Sequence, residues 1–142
     1  MSLKSIKLLM LVSGIYDGIL GLAFALGAVT LFRVFGVTLP NHLGYIRFPG
    51  LVLLIFAAMF FRIAADPVKR REQLAYGMAL KASYVALVAW YWVRGDMPAM
   101  WIPLAWIDAA FLVLYVFAWR ALIAAAATAS LRESEQRAVY KS

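Results

Sequence analysis

Apolar residues run along this chain in four long blocks separated by short polar connectors, at positions 8–32, 46–65, 73–93 and 101–124. Each block is long enough for a helix of about 20 residues that crosses a bilayer. The first, LLMLVSGIYDGILGLAFALGAVTLF, has Asp17 as its one charge, and the second, IRFPGLVLLIFAAMFFRIAA, keeps Arg47 and Arg62 near its ends. The third, QLAYGMALKASYVALVAWYWV, is interrupted by Lys81. The fourth, WIPLAWIDAAFLVLYVFAWRALIA, holds Asp108 in its interior and Arg120 near its end. Pro49 and Pro103 fall in what these boundaries make first helical turns, where proline is tolerated. The expected fold is all-α: a polytopic four-transmembrane-helix bundle occupying 1–142 as a single integral membrane domain. Residues 125–142 would form a cytoplasmic tail that continues the fourth helix and then frays.

Composition supports the same class. Hydrophobic residues make up 65% of the 142 and charged residues 15%, against about 45–50% and 25% in soluble domains; mean hydropathy is +0.84. A soluble enzyme or a nucleic-acid binder is therefore excluded as the expectation, despite a net charge of +7. Four spans account for that charge. Lys4, Lys7, Lys69, Arg70, Arg71, Arg132, Arg137 and Lys141 fall on the side of both termini, with Arg62 and Arg120 reaching towards it, whereas Arg33, Arg47 and Arg94 fall opposite. The positive-inside rule then places both termini in the cytoplasm. The first block is too long for a cleaved signal-peptide core of about 7–15 residues and has a carboxylate in its middle, so it is read as a retained helix.

With no cysteine and one histidine, the chain has no thiolate metal site, no disulfide and no bis-histidine haem of its own. No P-loop, dinucleotide fingerprint, GxSxG or HExxH occurs, and no metal or cofactor is expected. The chemistry that is left lies in Asp17, Lys81 and Asp108. An ionisable group at bilayer depth costs about 2.5–3.5 kcal/mol on insertion scales, so it should face the bundle interior and find a partner. At 1.5 Å rise per residue, Asp17 lies about 14 Å, Lys81 about 12 Å and Asp108 up to about 24 Å from the cytoplasmic ends of their helices. This predicts an Asp17–Lys81 ion pair, with Asp108 as a second acceptor somewhat further out.

Helical spacing extends the seam. Ser13, Asp17 and Gly21 repeat at four-residue intervals beside a Gly14/Gly18 GxxxG, a pattern that lets a neighbouring backbone approach. Gly77, Lys81, Tyr84, Val88 and Tyr91 share one face of the third helix, and Trp101, Leu104, Asp108 and Tyr115 one face of the fourth. Tyr84 and Tyr115 thus join the charges in a buried polar seam. Such a seam either fixes helix register and partner choice or forms a ligand or proton site in which Asp108 titrates. Asn41, His42, Tyr45 and Arg47 form a second polar patch at the outer mouth, where a binding role competes with ordinary solvation. Trp90, Trp92 and Trp101 are placed to form an aromatic belt, and Asp66–Pro67 with Lys69, Arg70 and Arg71 to anchor the connector at anionic headgroups.

Three stretches carry a family resemblance: the Gly-rich first helix (GIYDGILGLAFALG), the second span running into a basic connector (FPGLVLLIFAAMFFRIAADPVKRR), and the fourth helix with its one carboxylate, Asp108. In these the chain resembles the small bacterial DoxX-like membrane proteins, a group that includes subunits linked to quinone-dependent sulfur oxidation and redox membrane complexes. The resemblance implies a multi-pass inner-membrane bundle and an accessory subunit; it carries over no catalytic residue. The leading expectation is accordingly an accessory or interaction subunit, with membrane lipids and a membrane-protein partner or second copy as its contacts and no nucleic acid. The alternatives are a small proton-coupled transporter or binder of a lipophilic molecule (lipid or quinone) using Asp17 or Asp108, and a membrane enzyme acting on a lipid or quinone.

Overall fold

The computed structural model of the protein describes residues 1–141 and consists of four α-helices: α1 (Leu3–Val34), α2 (Gly44–Ala65), α3 (Gln73–Val93) and α4 (Trp101–Lys141). No strand occurs among the described residues. Three helices contain segments long and apolar enough to cross a membrane: Leu3–Val34, Gly44–Ala65 and Trp101–Leu131. α3 has the length, at 21 residues, but Lys81, Ser83 and the tyrosines at 76, 84 and 91 dilute its apolarity.

Local chemistry explains where the helices begin and stop. α1 starts ahead of its apolar block because Ser2 caps it, its hydroxyl accepting from the Ser5 amide at 3.1 Å; this is the usual device for satisfying a free amide at a helix start. α1 and α3 end alike, on glycines with φ of +63° (Gly36) and +80° (Gly95). The amides that follow them, of Val37 and Asp96, reach back to the carbonyls of Phe32 and Tyr91 at 2.9 and 3.1 Å, the closure that a left-handed residue makes possible. The α2–α3 turn is pinned by Asp66, whose carboxylate accepts from the Lys69 amide at 3.2 Å. α2 begins at Gly44, two residues before its apolar block. Pro49 therefore lies in the second turn rather than the first, and the Tyr45 carbonyl loses the amide it would otherwise bond. The backbone of 125–141 continues α4 as a helix to Lys141.

The bundle differs between its two ends. In the half that contains the start of α1, the end of α2 and the start of α3, apolar side chains close up into a core around Ile6, Met10, Phe60, Ile63, Leu74 and Leu122. All six are at most 1% exposed. In the half that contains the 35–43 and 94–100 connectors, the two hairpins stand apart around a cavity of about 640 Å³. The backbones of α1 and α2 come close where Gly21 meets Gly50; a Cβ on Gly50 would lie 2.7 Å from the Ala25 nitrogen and 2.9 Å from the Gly21 oxygen. Outward, α1 presents Leu8, Ile15, Ile19, Leu22 and Leu26, all more than half exposed. A contiguous apolar face of this kind suits hydrocarbon rather than water.

Candidate functional site

The site grows out of three buried helix stripes. On α1 the inward residues include Met10, Ser13, Gly14, Asp17, Gly21 and Phe24; on α3 they are Leu74, Gly77, Lys81 and Val88. On α4 the stripe is Ala105, Asp108, Phe111, Tyr115, Ala118 and Leu122. Each stripe carries one Asp or Lys, and the bundle brings the three together at the level where the sealed core gives way to the cavity.

Lys81 is the hub. Its Nζ donates to Asp17 Oδ1 at 2.6 Å and stands 2.9 Å from Asp108 Oδ1. The first is a charge-assisted hydrogen bond, of the short and strong class. The second is a slightly longer ion contact between the same ammonium and the other carboxylate. The ammonium also lies 4.9 Å from the centre of the Tyr16 ring and 5.6 Å from that of Phe111, within cation–π range. Asp17 is 0%, Lys81 1% and Asp108 6% exposed. With all three ionised, the cluster carries one negative charge more than its cation balances.

Asp17 Oδ2 and Tyr16 OH, both at the cluster, are buried without a hydrogen-bond partner among the described residues. Ser13 is not among them, since its hydroxyl donates to the Leu9 carbonyl at 2.8 Å.

The expected seam residues divide between two places. Tyr84 lines the cavity with Asp108, and its hydroxyl donates to the Trp101 carbonyl at 3.2 Å, tying α3 to the start of α4. Tyr115 instead sits in the sealed core, against Phe60 and Phe111 at ring-centre distances of 5.4 and 5.9 Å. Trp101 turns inward onto Phe24 and Phe32, whereas Trp90 and Trp92 remain on the outside. Of the outer-mouth residues, Asn41, His42, Tyr45 and Arg47 are all exposed, and none lines the cavity, although their neighbours Ile46, Phe48 and Pro49 do. His42 acts locally, its Nδ1 accepting from the Gly44 amide at 3.0 Å at the start of α2. No group of three potential metal ligands gathers among the described residues.

Sequence reasoning missed Tyr16 and the cavity itself. Tyr16 follows Ser13 by three residues, so the alternative i, i+3 step along the same face would have found it. The cavity has no such signature, because it depends on how far apart the two hairpins stand.

Fold and site thus define an all-α protein with three helices of membrane-crossing character and a buried carboxylate–ammonium–carboxylate cluster at the floor of a cavity. Comparison with protein-family models, curated proteins and solved structures gives no match. The functional reading therefore rests on the chain's own geometry.

Proposed function

We propose that the protein is a multi-pass membrane protein that binds a lipophilic small molecule in the cavity between its hairpins, with Asp108 as the polar anchor at the inner end. The cavity carries the reading: about 640 Å³, lined almost wholly by apolar and aromatic side chains, with Asp108 among them. This falls inside the range of about 300–1,000 Å³ of small-molecule sites, which pair apolar walls with a few placed polar groups. An accessory subunit that only packs against partners needs no such void. Nor does a register-fixing ion pair need a third charged group facing open space. The closed core beneath the cluster favours binding from one end over passage through the bundle.

The reading includes four crossings of a bacterial inner membrane with both termini cytoplasmic, supported by the charge asymmetry and the DoxX-like resemblance. Because the chain has no cysteine, S2C and N41C each introduce a single thiol. A membrane-impermeant maleimide should label N41C from outside the inner membrane in spheroplasts and S2C only after the membrane is opened. The opposite pattern would overturn the orientation.

Binding is tested by filling the cavity. Leu104→Trp places a large side chain in open space rather than in packed core, so the protein should fold normally. Wild-type protein purified in a mild uncharged detergent should carry lipophilic species detectable by mass spectrometry, and Leu104→Trp should lose most of them. Equal retention by the two proteins would sink the pocket as a binding site.

A further inference from the structure

Resting on the pocket reading, the distribution of charge within the cavity says what kind of molecule it suits. The charged residues that line it are Asp96, in the 94–100 connector, and Asp108; no lysine or arginine does so. The cation nearest to hand, Lys81, is 1% exposed and committed by a 2.6 Å hydrogen bond to Asp17. The Asp17–Lys81 pair balances itself, so Asp108, when ionised, is the surplus negative charge, 2.9 Å from the same ammonium. A surplus charge in a low-dielectric interior is costly unless a counter-charge meets it.

The walls point the same way. Phe24, Phe48, Tyr84, Tyr91 and Trp101 contribute aromatic rings to the lining, and the negative faces of such rings attract cations, quaternary ones included. An anionic head group would meet two carboxylates and no free donor cation. A neutral lipophile would leave the Asp108 charge as it is. We infer that the cavity selects a lipophilic organic cation, its apolar body against the aromatic walls and its positive centre at Asp108.

Tetraphenylphosphonium and tetraphenylborate are close in size and shape and opposite in charge, so they separate this inference from the pocket reading beneath it. Full-length protein in a maltoside detergent is dialysed to equilibrium against each ion. The cation should bind saturably and about tenfold or more tighter than the borate, a difference of about 1.4 kcal/mol or more. Asp108→Asn, which keeps the Asp17–Lys81 pair intact, should abolish that preference. Should this variant fail to fold, the comparison of the two ions on the wild-type protein still decides. Equal binding of both ions, or preference for the borate, overturns cation selection while leaving a lipophilic pocket in place. A preference that survives in Asp108→Asn overturns the role of that carboxylate. If neither ion binds, the pocket reading falls with the inference.

Discussion

Lys81→Met is expected to destabilise the bundle by about 3–5 kcal/mol, the scale of breaking a buried ion pair by removing one partner. The cluster makes the effect asymmetric. Lys81 is the one cation between two carboxylates, so its loss leaves Asp17 and Asp108 facing one another without a counter-ion. Asp108→Asn does the reverse, leaving a balanced Asp17–Lys81 pair and an amide oxygen still facing the ammonium, so this change should cost only about 1 kcal/mol. Removing all three charges together, as Asp17→Asn, Lys81→Met and Asp108→Asn, should recover most of the loss, because buried ion clusters are often replaced by uncharged residues at little cost. Denaturant titration in mixed micelles gives the ranking. A Lys81→Met protein as stable as wild type, or an Asp108→Asn protein as damaged as Lys81→Met, would show that the ammonium does not organise the cluster.

The second large effect is expected at Gly50. Its hypothetical Cβ meets backbone, the Ala25 nitrogen at 2.7 Å and the Gly21 oxygen at 2.9 Å, so no side-chain rotation relieves the clash and α1 and α2 must move apart. At Gly18, on the same interface, a Cβ would lie 3.7 Å from the Ala57 Cβ, which is ordinary contact. Both Gly→Ala changes gain helix propensity of about 1 kcal/mol. The difference between them therefore isolates the steric term, and Gly50→Ala should be less stable than Gly18→Ala by about 1–3 kcal/mol. Thermal unfolding of the two variants in the same detergent checks this. Equal melting temperatures would mean that the two helices can separate there freely. Gly21 lies one turn beyond Asp17, so a forced separation at Gly50 also loosens the carboxylate's seat.

Much of this was legible in the sequence. The four helices follow from apolar blocks of near-uniform length, and the inward placement of Asp17, Lys81 and Asp108 follows from the cost of leaving a charge in hydrocarbon. The predicted pairing of Lys81 with Asp17, and Asp108 as a second acceptor, matches the observed contacts. Depth counted along helices placed Asp108 further out than its partner; the long, flexible lysine side chain spans that difference and reaches both carboxylates. What one-dimensional spacing could not show was distance between helices. The GxxxG at Gly14 and Gly18 pointed to a close helix neighbour, which proves to be α2, but there Gly14 faces the Phe61 ring, and backbone meets backbone one turn further on, where Gly21 faces Gly50. Likewise Trp101 has two readings in the sequence, an outer-belt residue at a helix start and a member of the inward face of α4, and the structure takes the second. Its inward turn depends on Phe24 and Phe32 offering rings to pack against.

The closed core under the ion cluster makes the cavity a blind alley. A molecule bound there cannot leave through the sealed half, so arrival and departure share the mouth in the open half of the bundle. Narrowing that mouth without touching the inner wall would slow both journeys by the same factor, altering how long a guest stays while leaving the fraction of protein occupied at equilibrium unchanged.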